Sequence, residues 1–347
     1  MCASLKHIVK CLSVLQFKVV PCPPKELHGL TVTLTKVYLV SDPFNQNHKP
    51  LVGKPLELIK NVTVVTAPNA SPMTFTGTQS YIIGTDSLAI VDPGPDLDPH
   101  YQALIEAIAG RSVSHIICTH SHEDHSPLSR RLAAKFDAPI LGYGTTDEGR
   151  SKNMAHLATL ADLGGAEGKD RDFFPDERIV DGQVIQGHDW ALEAIHTPGH
   201  LSNHLCFAIR GTGAVLSGDH VMGWATTMIS PPDGDLTSYM CSMEKMAARV
   251  GDSVYFPGHG AQIDDPAKMV QHQINHRKSR EKQICNTLES YPYATSVELA
   301  QRIYTDIDQR LIQAAARNVF AHLIDLVGRN IVSADRPISP KARFALK

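Results

Sequence analysis

Alternating apolar and polar positions in the first half of the chain predict a sheet with helices packed against it. Thr85-Asp86 separates two apolar runs, which is typical of a β-hairpin, and Asp98-Pro99 begins a helical pattern. The predicted elements are strands at 80–84 and 87–92, a helix at 98–109, a strand at 115–118, a helix from 126 and a strand at 138–141. Strands that alternate with helices in this way indicate an α/β (α+β) fold.

Short apolar runs in the middle of the chain predict an antiparallel meander. Between residues 149 and 172 the pattern weakens and Gly and Ala dominate, so we interpret this stretch as an irregular insertion. The elements predicted after it are strands near 179 and 184 and at 191–196, 204–209 and 214–217, a helix at 236–249 and a strand at 253–256. Glycine-containing turns between neighbouring strands favour hairpin connections.

The chain after residue 265 follows a helical period. Asp265-Pro266 begins a long helix, and Thr295 with Glu298 forms a capping-box pattern before a short one. A further helix at 309–327 and an extended piece after it are typical of a winged helix. We therefore divide the chain into an N-terminal extension (1–55), an α/β domain (56–265) and a helical, winged-helix-like C-terminal domain (266–347).

Composition indicates a globular protein of a reducing compartment. Apolar residues make up 42% of the 347 residues, and no stretch has the ~20 uncharged apolar residues that a membrane span needs. The seven cysteines are widely spaced and form no CxxC pair, which indicates free thiols. Lys10 and Lys18 interrupt the apolar run that a signal peptide requires. We expect a cytoplasmic protein, and a targeting role for residues 1–55 stays open.

Charge is distributed unevenly along the chain. Residues 266–347 contain 13 Lys/Arg and 7 Asp/Glu, a net charge of +6, in a chain whose total is −3, so residues 1–265 carry −9. A basic C-terminal section on an acidic body keeps a polyanionic substrate under consideration.

The densest chemical signal is the run HSHEDH at residues 120–125. His120, His122, Asp124 and His125 lie directly after a predicted strand and before a predicted helix. In an extended turn, the side chains of His120 and His122 point to the same side. Asp124 and His125 lie where the chain turns into the helix, so their side chains can face a second metal position. One loop can therefore hold two metal ions side by side. Imidazole nitrogens and carboxylate oxygens are zinc ligands, and a site with an open position is catalytic.

Three later segments each place a candidate ligand at a strand-to-loop transition, beside glycine. They are TPGH, ending at His200, SGDH, containing Asp219, and PGHG, containing His259. Glycine lets the backbone approach a crowded centre. We predict that all three join the 120–125 loop in one metal site. By contrast, we interpret His204 and His220 as structural and Glu123 as a surface carboxylate.

These four segments, in this order, resemble the metallo-β-lactamase superfamily over residues 81–260. The resemblance implies a four-layer αββα sandwich with the site at the edge of its two sheets. It implies two Zn²⁺, with iron or manganese as alternatives, and a metal-bound hydroxide that Asp124 orients toward the substrate. It also implies a division of ligands in which one metal is bound by His120, His122 and His200, the other by Asp124, His125 and His259, and both by Asp219.

Within this superfamily the chain is similar to the lactamase-β-like and glyoxalase II-like group with a C-terminal winged helix. Thr226-Thr227 and the helix start at 235–242 carry that likeness, whereas PGHG departs from the glyoxalase II pattern. The resemblance implies a hydrolase, and we expect a small-molecule substrate: an ester, thioester or lactone. Its pocket would be shaped by Met222, Trp224, Met228 and the 149–172 insertion.

Three other functions are retained as alternatives, and the oligomeric state stays open. A single-strand endoribonuclease would bind RNA through a basic surface comprising Arg277, Lys278, Arg280, Lys282, Arg302, Arg310 and Arg317, with the basic face of the 271–288 helix in solvent. A β-lactamase is disfavoured because no cysteine stands among the second-metal ligands. A mononuclear iron dioxygenase is disfavoured because all ligands of a second metal are present.

Overall fold

A computed structural model describes residues 43–160, 168–306, 308 and 311–347. Residues 1–42 of the predicted extension, residues 161–167 of the predicted insertion, and Arg310 lie outside the described residues. The domain boundaries at 55/56 and 265/266 stay predictions.

The first sheet has seven strands in the order of the sequence. They are β1 (Leu56–Ile59), β2 (Val62–Thr66), β3 (Gln79–Ile83), β4 (Ser87–Val91), β5 (Ser112–Ile117), β6 (Ile140–Gly142) and β7 (Glu177–Arg178). The first four strands pair antiparallel, and β4 to β7 pair parallel. The predicted hairpin of β3 and β4 is confirmed, while the β1–β2 hairpin was not anticipated.

The second sheet has five strands in the order β12-β11-β10-β9-β8. They are β8 (Val184–Gln186), β9 (Ala191–His196), β10 (Leu205–Ile209), β11 (Ala214–Gly218) and β12 (Val254–Pro257). The strands from β8 to β11 form the predicted antiparallel meander, and β12 pairs parallel with β11. Since β9 and β11 both run opposite to β10, the carboxyl ends of β9, β11 and β12 lie at one edge.

Helices cover the outer face of each sheet. The described helices are α1 (Asp98–Ile108), α2 (Leu128–Phe136), α3 (Lys152–Leu157), α4 (Leu236–Ala247), α5 (Pro266–Ser290), α6 (Ser296–Ile303) and α7 (Ile312–Gly328). Apolar residues of α1 and α2 pack on the first sheet, and those of α4 and α5 pack on the second. A separate cluster between the sheets contains Val91, Ile117, Phe207 and Leu216. The layers are therefore αββα, as predicted.

The chain after α5 builds its own apolar core. Leu299 of α6, Phe320 of α7 and Phe344 of a terminal hairpin are buried together in this core. The hairpin consists of β13 (Val332–Ala334) and β14 (Phe344–Leu346), and the predicted capping box of Thr295 and Glu298 is present. Among the described residues, none after 265 joins either large sheet. Within the described residues of the whole chain, no helix has the length and apolar character to cross a membrane.

The 149–172 stretch is less irregular than predicted. It contains α3, which begins at Ser151, whose hydroxyl accepts from the backbone N–H of Met154. Met154 and Leu157 are buried in the C-terminal core. The weak apolar pattern concealed this helix because only two of its residues are buried.

The prediction that the basic face of α5 lies in solvent is wrong for two of its four cations. Lys278 and Lys282 are exposed, but Arg277 and Arg280 are only 3% and 4% exposed. Helical periodicity explains the difference, since positions 277 and 280 continue the buried row that begins at Pro266 and ends at Leu288.

The inter-sheet core predicts a large stability cost for truncation. Phe207 is fully buried between the sheets, and removing a buried phenyl ring lowers the free energy of unfolding by about 3–5 kcal/mol. We expect Phe207→Ala to show this loss in urea unfolding. Val250→Ala, at a site that is 96% exposed, should stay within about 0.5 kcal/mol of the wild type. Equal values for the two variants would contradict the assigned core.

Candidate metal centre

The ends of four strands place the candidate ligands at one edge of the sandwich. Residues 120–125 follow β5 of the first sheet, and His200 follows β9 of the second. Asp219 directly follows β11, and His259 comes two residues after β12. Because the carboxyl ends of β9, β11 and β12 share an edge, their loops converge on the loop from β5. The structure thus brings together all seven residues that the sequence analysis singled out.

Four residues form a first group of possible ligand atoms. His122 Nδ1 lies 2.9 Å from His120 Nε2 and 3.0 Å from His200 Nε2. Asp219 Oδ2 is 3.6 Å from His200 Nε2. One ligand atom from each of these four residues lies within 4.8 Å of the others, a spacing that could hold one metal ion.

A second group lies beside the first. Asp124 Oδ2 is 3.2 Å from both His125 Nε2 and His259 Nε2, and these two nitrogens are 3.3 Å apart. Asp219 contacts this group as well, at 3.6 Å from His125 and 3.4 Å from His259. Asp219 therefore lies next to both groups.

Hydrogen bonds on the outer side of the rings of His120 and His200 fix the orientation of these rings. His120 Nδ1 lies 3.0 Å from the hydroxyl of Thr119, and His200 Nδ1 lies 2.9 Å from the carbonyl of Met228. Each Nε2 therefore points inward. Such outer partners orient the rings of metal-binding histidines.

Asp92 was missed by the sequence analysis. It is 1% exposed, lies 2.9 Å from His125 Nδ1, and accepts from both the amide and the hydroxyl of Thr119. It thus supports two neighbouring parts of the ligand loop. Its position gave a signal that was not used, because Asp92 follows β4, which pairs parallel with β5.

Thr78 was also missed. Its hydroxyl donates to Asp124 Oδ2 over 2.9 Å, and the neighbouring carbonyl of Gly77 lies 3.3 Å from His259 Nδ1. The segment before β3 therefore supports two members of the second group. No local pattern marks this threonine as part of the site.

The histidines outside the ligand groups agree with their structural interpretation. His204 is buried, its Nδ1 lies 2.9 Å from the hydroxyl of Thr197, and its Nε2 accepts from the amide of Asp219 over 3.1 Å. His204 therefore supports the shared carboxylate. His220 is buried, and Glu123 is exposed.

Electrostatics divides the histidines into two kinds. Burial, reinforced by neighbouring imidazoles, lowers the pKa of His120 well below its usual value and that of His122 to about 3. Burial also acts on His125 and His259, but nearby carboxylates outweigh it and raise the pKa of His125 well above its usual value and that of His259 to about 9. The first group thus has neutral rings, whereas the carboxylates of the second attract positive charge.

We expect Asp92→Asn to lower the pKa of His125 in metal-free protein. Asp92 is one of three carboxylates that raise this pKa against the effect of burial, so losing its charge leaves burial less opposed. Imidazole NMR titration measures the change. Asp96→Asn, at an acid that pairs with Arg131 on the surface, is the control and should leave His125 unchanged. A raised or constant pKa in Asp92→Asn would contradict this account.

Comparison with protein families identifies the class. Residues 73–259 match the metallo-beta-lactamase superfamily, and residues 295–336 match the beta-lactamase associated winged helix domain. The chain therefore belongs to the metallo-β-lactamase superfamily and carries the winged helix that the sequence predicted. This membership indicates a metal-dependent hydrolase.

Individual relatives agree with this class. The chain is 29% identical over 287 residues to the beta-lactamase-like protein 2 homolog of Drosophila melanogaster, covering 80% of this chain and 91% of the relative. It is 28% identical over 240 residues to the atrochrysone carboxyl ACP thioesterase of Aspergillus fumigatus, covering 67% and 66% of the two chains. A beta-lactamase domain protein from Burkholderia ambifaria has the same fold, with a TM-score of 0.71 at 17% identity over 87% of this chain and 96% of that one.

Proposed function

We propose that the protein is a binuclear metal-dependent hydrolase of a small ester, thioester or lactone. One metal would be bound by His120, His122 and His200, the other by Asp124, His125 and His259, and both by Asp219. The observation that carries the proposal is the pair of adjacent ligand groups that share Asp219.

The donor set of this site suits divalent cations. Imidazole nitrogens and carboxylate oxygens are ligands of zinc, the metal we propose, and iron and manganese stay alternatives. Oδ1 of Asp219 is buried and accepts no hydrogen bond from a described residue, which is costly unless a cation compensates it. A side chain at Gly258 would collide with this oxygen and with His125, so glycine keeps the space between the groups open.

The residues have separate tasks in the proposed reaction. When bound, the two cations would acidify water so that it attacks near neutral pH, and would polarise the substrate carbonyl. Burial favours the protonated form of Asp124, but His125 and His259 outweigh it and hold the pKa of Asp124 well below its usual range. In the metal-free protein Asp124 is therefore ionised at neutral pH, and we propose that its carboxylate accepts a hydrogen bond from the attacking water and orients it.

Exposure favours Asp124 over Asp219 for this role. The side chain of Asp124 is 25% exposed, and that of Asp219 is 8% exposed. Asp124 can therefore reach solvent and substrate, whereas Asp219 is enclosed by His125, His200 and His259. Thr78 holds Asp124 Oδ2 and restricts its orientation.

The substrate class is inferred from charge and from one relative. A thioesterase among the relatives favours thioesters. RNA is disfavoured because Arg277 and Arg280, two of the seven cations proposed to bind phosphates, are buried.

The residues predicted to line the substrate pocket need correction, since Trp224 and Met222 are only 2% and 5% exposed. Phe75, half-buried, stacks on Trp224 with ring centroids 4.8 Å apart, and it is the more accessible apolar surface.

A substrate panel on zinc-loaded protein tests the proposal. We expect hydrolysis of acyl thioesters, aryl esters or lactones, because the site provides for attack on a carbonyl. His120→Ala should reduce kcat/KM by more than the roughly 100-fold that loss of a ligand's outer partner causes. His156→Ala, at an exposed histidine of α3, is the matched control and should retain full activity. Undiminished hydrolysis by His120→Ala would contradict the assignment.

Ionic strength separates the carbonyl substrates from RNA. Lys278 and Lys282 are the exposed cations of the predicted basic face of α5, and replacing both with Gln should leave ester or thioester turnover unchanged at every salt concentration. Phosphate contacts make nucleic-acid binding fall steeply with salt. A salt-sensitive cleavage of single-stranded RNA, lost both in His122→Ala and in the double Lys variant, would overturn our choice.

A further inference from the structure

The segment from residue 219 to residue 228, here called the Asp219 loop, sets the position of two ligand candidates. It begins with Asp219 itself, and at its other end the carbonyl of Met228 lies 2.9 Å from His200 Nδ1. Within the loop, the hydroxyl of Thr227 lies 2.9 Å from the carbonyl of Asp219. A displacement of the loop would therefore move the shared carboxylate and rotate the ring of His200 together.

Two side chains of α5 hold the Asp219 loop. Gln273 Nε2 donates to the carbonyl of Met222 over 2.9 Å, and one terminal nitrogen of Arg277 donates to the carbonyl of Thr227. Gln273 and Arg277 are four residues apart, so they project from the same face of the helix. Arg277 is thus two hydrogen bonds away from Asp219, through Thr227.

The other terminal nitrogen of Arg277 reaches the C-terminal core. It donates to Asn318 Oδ1 of α7 over 2.7 Å, and Asn318 Nδ2 donates to the hydroxyl of Tyr304 over 3.0 Å. A planar guanidinium presents two terminal nitrogens in a rigid fork, whereas an ammonium group donates from a single nitrogen. The Arg277 side chain therefore connects the Asp219 loop to α7 and to the end of α6.

The burial of Arg277 beside neutral acceptors indicates that the side chain acts through the directions of its hydrogen bonds more than through its charge. The residue is 3% exposed, and its hydrogen-bond acceptors are a carbonyl and an amide oxygen, both neutral. A buried cation whose acceptors are neutral costs free energy. Arg280, one turn further along α5, offers a comparison: it is 4% exposed and contacts Gln283 and the ring of Tyr304, outside the Asp219 loop.

We propose that Arg277 is a positioning residue of the metal centre, through which the C-terminal helices hold Asp219 and His200 in place for the first metal. This inference rests on the proposed metal-dependent function. It predicts that losing the two donated bonds weakens metal binding even in a folded protein, because the ligands are no longer held in place before the metal arrives.

Cobalt binding tests this role without measuring activity. Metal-free protein is titrated with Co²⁺, and visible absorption reports both affinity and ligand geometry. We expect Arg277→Met to bind Co²⁺ roughly 10- to 100-fold more weakly, the range observed when outer partners of metal ligands are removed, with an altered spectrum. Arg280→Met removes an equally buried arginine that does not contact the loop, and it should bind as the wild type does. Arg277→Lys, with a single donor position, should not restore the wild-type spectrum.

Three outcomes would overturn the inference. The first is a folded Arg277→Met with wild-type affinity and spectrum, and the second is an equal loss in Arg277→Met and Arg280→Met. If Arg277→Met fails to fold, Thr227→Val decides, because it removes the hydroxyl next to Asp219 and preserves shape. Wild-type cobalt binding by Thr227→Val is then the third outcome. Absence of cobalt binding by the wild type would instead overturn the metal centre itself, and this inference with it.

Discussion

The structure depends on one electrostatic constraint: two carboxylates and five imidazoles lie close together at one buried edge of the sandwich. Their nitrogen and oxygen atoms lie 2.9–3.6 Å apart. Asp219 is almost fully buried in this group, and a buried anion needs a nearby positive charge. In the protein alone, the carboxylates meet that need by raising the pKa of His125 and His259. A metal ion would replace those protons, so the site is electrostatically suited to cations.

The αββα fold satisfies this constraint from both sheets. The parallel pair β4–β5 presents Asp92 beside the ligand loop, and the second sheet places the ends of β9, β11 and β12 opposite it. Each ligand follows a strand whose backbone is held by its neighbours, so little entropy remains to be lost when the ligands converge. The C-terminal helices contact the Asp219 loop, which follows β11, through Gln273 and Arg277.

The sequence was informative where chemistry and local pattern coincide. The seven ligand candidates stand after predicted strands, and three of them (His200, Asp219 and His259) are beside glycine, so both their type and their position were visible. Thr78 was missed because its partner Asp124 lies 46 residues away and no local pattern connects them. Asp92 was missed because its partner His125 lies 33 residues away, although its position at the end of a strand was visible. The burial of Arg277 was missed because a charged residue on a mostly polar helix normally faces solvent, although the residue continues the buried row of the helix. Its acceptors Thr227 and Asn318 lie 50 and 41 residues away in the sequence. The fold class was predictable from alternating strands and helices, while α3 was hidden by its short buried face.

Metal content per chain tests the central claim most directly. Elemental analysis of purified protein reconstituted with zinc should find two ions per chain in the wild type, about one in His259→Ala, and fewer than one in Asp219→Ala, because Asp219 is proposed to serve both positions. Anomalous scattering at the zinc edge should then show two peaks next to Asp219. A single ion in the wild type, or unchanged occupancy in Asp219→Ala, would contradict the binuclear centre.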